Sequence, residues 1–169
     1  MVYMKSDISS IDELPSFWIY RVHIQGAVSL RKAFLAAGFD LTPEQWGVMT
    51  RLRDNEGMNQ NQLAERTFKD RHNINRILNL LEKHGYIKRC PDKSDKRAHS
   101  IFLTKSGRMI QEKLTPIVLN NIQQRFNDLS PEDLSALRRI LEHVTKNIER
   151  IGENVKDGLK PLKVLKDAY

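Results

Sequence analysis

The stretch from residue 59 to residue 104 constrains the fold more than any other part of the chain. It holds two short segments with helical periodicity, followed by two strand-like runs at 86–90 and 99–103. The second helical segment has one apolar face, formed by Ile74, Ile77, Leu78 and Leu81. A charged, turn-rich segment separates the two runs. This order predicts a helix-turn-helix followed by a β-hairpin wing.

Local signals predict where most of the helices begin and end. Thr42 to Gln45 and Asn59 to Gln62 have the spacing of capping boxes, and Gly38 and Gly85 are favourable helix stops. Thr104 and Ser130 are expected to cap the last two helices. Phe68 is expected to face inward. Pro116 falls inside the fifth helical pattern and is expected to kink or split it.

The predicted fold class is therefore mainly α, in one domain over 1–169. The winged helix-turn-helix covers 42–104, and helices at 15–37 and 105–151 flank it. The last helix carries an apolar seam at heptad-like spacing: Leu134, Leu137, Leu141, Val144, Ile148 and Ile151. Such a seam indicates a partner helix, either in a second copy or within the same chain. Residues 152–169 form a lysine-containing extension without an assigned role.

The composition excludes several classes of protein. No apolar run approaches the roughly 20 residues of a membrane span, and the first residues have no signal-peptide core, so a cytoplasmic protein is expected. Cys90 is the single cysteine, which rules out an intrachain disulfide and a cysteine-pair zinc motif. No phosphate loop, H-E-x-x-H motif or nucleophile elbow is found. We therefore expect no enzymatic activity and no cofactor.

The positive charge is concentrated in one part of the sequence. The chain has 28 Lys and Arg against 21 Asp and Glu, a net charge of +7. Residues 51–108 hold 14 basic and 7 acidic residues, which leaves 14 of each sign in the remainder. A generic solubilising surface is an alternative, but it would spread the surplus over the chain. The clustering favours a nucleic-acid site.

The polar face of the second helical segment has side chains suited to reading base edges. It includes Arg71, His72, Asn73, Asn75 and Arg76. Asn pairs with adenine through two hydrogen bonds, and Arg pairs with guanine in the same way. The simpler alternative is the solvated face of an amphipathic helix, but no acid occurs between Arg71 and Leu81. These residues are therefore predicted to contact double-stranded DNA, as are Lys93, Lys96 and Arg97 at the wing tip.

A longer motif over the wing resembles a known family. Residues 95–104, DKRAHSIFLT, followed by Gly107, are similar to the D-x-R-x-x-x-L-x-L-T-x-x-G signature of MarR-family winged-helix regulators, with Ile101 in place of a leucine. Asp70-Arg71 and residues 80–87 also look like that family. The resemblance covers about 15–151.

This resemblance implies a homodimeric regulator, usually a repressor, on a pseudo-palindromic operator. It also implies that 15–37 and 105–151 are the dimerisation helices, and that Arg97 is a minor-groove arginine with Asp95 as its partner. His72, Asn73 and Asn75 stand where the family commonly has small hydroxyl residues, so the operator sequence does not follow from the resemblance.

Other candidate sites have weaker signals. Many family members bind a small aromatic or anionic inducer, and the candidate residues here are Trp18, His23 and Trp46, with Tyr20 and Phe34 nearby. Aromatic residues at helical spacing are more often core. Cys90 is more readily a structural cysteine than a redox sensor, and with His84 and His99 it matches no zinc pattern. A winged-helix module that binds protein instead of DNA is the alternative function.

Overall fold

The computed structural model describes residues 10–91 and 99–156. A short 3₁₀ turn, Ile11–Glu13, precedes the helices α1 (Pro15–Ala36), α2 (Pro43–Asp54), α3 (Gln60–Arg66), α4 (Arg71–Lys83), α5 (Lys105–Arg125) and α6 (Pro131–Lys156). Strands β1 (Ile87–Pro91) and β2 (His99–Leu103) lie between α4 and α5. The chain divides after Arg125 into two compact units. The predicted helix-turn-helix with a two-stranded wing is confirmed in the first unit.

Two capping boxes fix the starts of α2 and α3, as the sequence predicts. The Thr42 hydroxyl accepts from the Gln45 backbone N–H, and the Gln45 side chain accepts from the Thr42 N–H. Asn59 and Gln62 repeat this exchange at α3. Each box satisfies two N–H groups that a helix start otherwise leaves without a partner.

The helix ends reveal an error in the prediction for Phe68. Gly38 and Gly85 end α1 and α4 with positive φ angles, and both ends have the two backbone bonds of a Schellman motif. Phe68 holds the corresponding position after α3, with φ 53°, and its ring is 88% exposed instead of facing inward. The left-handed conformation turns its side chain out, at a cost of about 1–2 kcal/mol for a residue with a Cβ atom.

The core of the first unit joins all its helices to the wing. The fully buried residues include Val48, Met49, Leu52, Leu63, Ile74, Leu78, Leu81 and Leu114. Leu30 and Phe34 bring α1 into this core. The predicted inner face of α4 is confirmed, because its four apolar residues are at most 2% exposed. The opposite face of α4 is left for solvent or a partner.

The wing is anchored at its base on both sides. Ile87 pairs with Leu103 and Cys90 with Ser100 in the antiparallel sheet. On the other side of β2, Met58 forms a bridge with Ile101. These contacts fix where β1 and β2 leave the core.

The connection from the wing to α5 is held by hydrogen bonds of the Thr104 side chain. The Thr104 hydroxyl accepts from the Gly107 N–H, as predicted for a cap, and donates to the Gly85 carbonyl. The end of α4 and the start of α5 are therefore held together by one side chain.

Helix α5 continues through Pro116, so of the two expected outcomes the split is wrong, while the kink stays a prediction. A proline removes one helical hydrogen bond, but residues on both sides are held by the core: Leu114 is fully buried and Val118 is 4% exposed. Burial of this face keeps the helix continuous where the local signal favours a break.

The second unit is formed by α6 and the turn before it. Ser130 caps the helix, because its hydroxyl accepts from the Asp133 N–H while the Asp133 carboxylate accepts from the Ser130 N–H. The helix extends to Lys156, beyond the predicted end at 151, and the rest of the predicted extension lies outside the described residues. The apolar seam of α6 is 37–63% exposed. The predicted single domain stays a prediction.

Candidate DNA-binding surface

The start of α4 is held rigidly by its neighbours. The Asp70 carboxylate accepts from the Asn73 backbone N–H at 2.8 Å, and this bond lowers the pKa of Asp70 from its usual value of 3.8. The Gln60 amide donates to the Arg71 carbonyl at 3.1 Å, which fastens α3 to α4. Lys69 forms an ion pair with Glu44 of α2. The first turn of α4 therefore has a fixed position relative to the core.

Most of the predicted base-reading residues lie on the open face of this helix. Arg71, His72, Asn75 and Arg76 are exposed, and Asn73 is half-buried. The Arg76 guanidinium donates to the Asn73 side-chain oxygen at 3.2 Å. The structure brings these five residues together on one helix. Their contact with DNA stays a prediction.

Arg89 of β1 is a residue that the sequence reasoning missed. Its guanidinium donates to Glu82 and Asn79 at 2.8 Å each, and to Asn75 at 3.4 Å. Side chains alternate between the two faces of a strand, so Arg89 lies on the same face of β1 as buried Ile87. This spacing in the sequence could have identified Arg89 as a residue that faces α4. Its bond occupies the Asn79 oxygen, and the other polar group of this side chain is the amide nitrogen, which is a donor. Arg89 also pairs with Glu82, the acid nearest this surface on α4.

The predicted wing-tip contacts cannot be placed in the same way. Lys93, Lys96, Arg97 and Asp95 lie outside the described residues. Of the described wing residues, Arg89 of β1 contacts Asn75 and Asn79 of α4. The role of the wing-tip residues stays a prediction.

The three inducer candidates have separate environments. The Trp18 indole is half-exposed, donates to the Asp12 carbonyl at 2.7 Å and packs under the Arg21 guanidinium. His23 is exposed on α1. Trp46 of α2 packs against the core, and its indole nitrogen is buried without a hydrogen-bond partner among the described residues. No observed contact joins them, so their grouping stays a prediction.

A cavity of about 560 Å³ lies between α2 and α5 and was not foreseen. Its lining includes Arg53, Arg108, Gln111 and Leu119. Gln111 is only 1% exposed, and its amide donates to the Thr50 hydroxyl at 2.7 Å while its oxygen accepts from Arg53 at 3.2 Å. The cavity thus combines two ion-paired guanidinium groups, Arg53 with Asp54 and Arg108 with Glu56, with the acid Glu112 and the apolar side chains of Pro116 and Leu119.

Cys90 is half-buried and pairs with Ser100 in the sheet. Among residues 10–91 and 99–156, no three His, Cys, Asp or Glu side chains are grouped as metal ligands. The role of Cys90 stays a prediction. No helix in these same ranges is long and apolar enough to cross a membrane.

Comparison with known proteins agrees with this architecture. A family model described as MarR family matches residues 39–98. The HTH-type transcriptional regulator YybA of Bacillus subtilis is 31% identical over 121 residues, which are 72% of this chain and 81% of that protein. SarZ of Staphylococcus epidermidis, also an HTH-type transcriptional regulator, is 30% identical over 68% of this chain and 77% of its own length.

Solved structures have the same fold. A probable transcriptional regulator from Pseudomonas aeruginosa is similar with a TM-score of 0.74 and 27% identity, covering 80% of this chain and 99% of that one. The transcriptional repressor CouR, bound to a 23-mer DNA duplex, is similar with a TM-score of 0.73 and 25% identity, covering 81% and 96%.

The helix-turn-helix, the two-stranded wing and the flanking helices define a winged-helix transcriptional regulator. With the sequence matches, they show that the chain belongs to the MarR family.

Proposed function

We propose that this chain binds double-stranded DNA in a sequence-specific manner as a homodimer and represses transcription. The observation that carries the proposal is the exposed polar face of α4, which has Arg71, His72, Asn75 and Arg76 and no acid before Glu82. The second helix of a helix-turn-helix enters the major groove with its first residues toward the bases. CouR, a relative in fold, is a repressor bound to DNA.

The pairing of two copies is supported by apolar surface that one copy leaves in solvent. On α1, Trp18, Ile19, Tyr20 and Val22 are 46–64% exposed. The seam of α6 is exposed as well. Exposed apolar surface of this extent is typical of an interface. A homodimer would present two copies of α4 to half-sites about 34–36 Å apart for one turn of DNA.

Selection of bound sites from random duplexes, followed by fluorescence anisotropy, tests this function. Phosphate contacts release counterions, so affinity should fall steeply, by about 10³-fold or more between 50 and 200 mM salt for six or more contacts. Asn73→Ala should relax sequence preference, and Asn120→Ala on α5 is its control. Arg97→Ala should weaken binding to all sites, with Lys113→Ala as control. Absence of duplex binding at low salt would favour the protein-interaction alternative.

The dimer has its own test. Ile148→Glu places a charge in the α6 seam and should convert a dimer to a monomer in sedimentation velocity, while Arg139→Glu on the same helix should not. Wild-type protein that sediments as a monomer at micromolar concentration would contradict the proposal.

We infer a second property, response to a small aromatic anion, from the cavity between α2 and α5. Its volume is in the usual range for ligand sites, and a bound anion would replace Asp54 and Glu56 as the partner of Arg53 and Arg108 beside Leu119. A structural relative, BpsR of Bordetella bronchiseptica, is described as regulated in DNA binding by 6-hydroxynicotinic acid. Benzoate should lower DNA affinity of the wild type and have less effect on Arg108→Gln. If benzoate lowered the DNA affinity of both proteins equally, this cavity would not be the binding site of the anion.

We propose a cytoplasmic location, because a transcriptional regulator must reach the DNA that it binds. We also propose that the chain has no catalytic activity of its own, since its family is one of regulators.

A further inference from the structure

Phe68 is the most exposed large apolar residue among those described, at 88%. It lies in the turn between α3 and α4, and its φ of 53° is in the left-handed region. Both properties oppose folding of the isolated chain, because the ring meets water and the backbone is strained. The side chain therefore needs an explanation outside the fold of one copy.

The other helix ends of the same kind show what the fold alone requires. Gly38 and Gly85 occupy the equivalent position after α1 and α4, with φ of 82° and 72°. Glycine adopts this conformation without a steric cost. At Phe68 the turn has the same backbone bonds, Phe68 N–H to Glu65 carbonyl and Lys69 N–H to Ala64 carbonyl. A glycine would serve the turn equally well, so the ring is not present for the turn.

The location of Phe68 indicates what covers the ring. Only two residues separate it from Arg71, the first residue of α4, so the two Cα atoms are at most about 11 Å apart. Residues 65–76 are net basic, with four cations against two acids, although Lys69 is paired with Glu44: Arg66, Lys69, Arg71 and Arg76 against Glu65 and Asp70. An apolar ring among cations suits duplex DNA, which has phosphates and, in the major groove, thymine methyl groups that Phe contacts.

We propose that Phe68 is a DNA-contact residue that recognises a thymine by packing its ring against the C5-methyl group, beside the bases met by the start of α4. The inference rests on the proposed DNA-binding function and extends it to a residue outside α4. The ion pair of Lys69 with Glu44 and the cap at Asp70 hold the turn, so the ring is positioned before DNA arrives.

The first test separates binding from folding. Phe68→Gly should raise the melting temperature, because it relieves the backbone, yet weaken affinity for the selected site roughly tenfold. Asp128→Gly is the matched control, since Asp128 is an exposed non-glycine residue with φ of 67° before α6. It should leave affinity within about twofold. Unchanged affinity in Phe68→Gly, with tight wild-type binding, would overturn the inference and leave the proposed function intact.

The second test identifies the DNA group. Each thymine of the selected site is replaced in turn by uracil, which lacks the methyl group. One replacement per half-site should weaken wild-type binding about fourfold, and should have no further effect in Phe68→Gly. Equal losses in both proteins at every position would exclude the thymine contact. A change in sedimentation of free Phe68→Gly, with affinity unchanged, would assign the ring to a protein contact instead. Wild-type protein that binds no duplex would overturn the proposed function itself.

Discussion

The guanidinium of Arg89 donates a hydrogen bond of 2.8 Å to the side-chain oxygen of Asn79. This bond ties the first strand of the wing to the exposed face of α4. Glu82 and Asn75 accept from the same guanidinium. The orientation of Asn75, a candidate DNA-reading amide, and of Asn79 on the same helix therefore depends on a residue of the wing.

Loss of this link should alter recognition more than stability. Arg89→Met keeps the apolar stem but frees Asn75 and Asn79, and we expect affinity for the selected site to fall roughly tenfold or more, for a loss of about 1.5–3 kcal/mol. The free energy of unfolding should change by less than about 1 kcal/mol, because the Glu82 carboxylate is 40% exposed. Anisotropy and chemical denaturation measure the two effects.

Lys88→Met on the adjacent strand position is the control for Arg89→Met. Lys88 is exposed, and its replacement by methionine removes the same single positive charge. If both variants lost affinity equally for selected and random duplexes, Arg89 would act as a charge alone and the positioning role would be wrong.

Two glycines should respond oppositely to alanine. A Cβ atom at Gly107 would overlap the Tyr86 carbonyl oxygen, which already accepts from the Thr104 N–H, so Gly107→Ala should destabilise by more than about 2 kcal/mol. Gly47 in α2 has open space, and Gly47→Ala should stabilise by roughly 0.5–1 kcal/mol. Urea denaturation measures both. Similar midpoints for the two variants would contradict the packing of the α4–α5 connection.

The buried amide of Gln111 gives a prediction about the contact of α2 with α5. Gln111→Ala should cost about 2–3 kcal/mol, because it leaves a void and removes the bonds to Thr50 and Arg53. Gln111→Leu should cost less than about 1.5 kcal/mol, since Thr50 keeps its bond to the Trp46 carbonyl and Arg53 reaches solvent. If leucine were as damaging as alanine, the hydrogen bonds would matter more than the volume.

Asp70 should contribute to the acid sensitivity of the fold. The Asn73 backbone N–H lowers the folded-state pKa of Asp70 below its usual 3.8. A lowered folded-state pKa adds stability that is present above about pH 4 and lost as pH falls through the folded-state pKa. Asp70→Asn keeps a capping oxygen but has no titration, so its stability should decline less between about pH 5 and pH 2.

Thermal melts across this range measure the acid response. Asp133→Asn is the comparison, because Ser130 lowers the pKa of Asp133 in the same way at the start of α6. Identical pH profiles for Asp70→Asn and wild type would show that the cap at α4 has no role in acid unfolding.

Sequence patterns alone were enough to predict the helix starts, most helix ends and the buried helix faces. These features depend on atoms within a few residues of one another, as in the exchange between Thr42 and Gln45 or the stop at Gly85. Their hydrogen bonds can form in almost any fold that contains the helix. The spacing of Ile74, Ile77, Leu78 and Leu81 similarly identified the buried face of α4 before any partner was known.

The tertiary structure decided the features that need distant partners. Arg89 meets Asn79 ten positions away, and Gln111 meets Thr50 sixty-one positions away. Pro116 lies in an unbroken helix because burial of Leu114 and Val118 outweighs the lost bond. Phe68 has an apolar side chain that sequence reasoning places inside, yet the closing bonds of the turn force its backbone into the left-handed region and its ring into solvent. Hydrophobicity indicates how much free energy a side chain would gain by burial. The path of the backbone decides whether the side chain can point into the core.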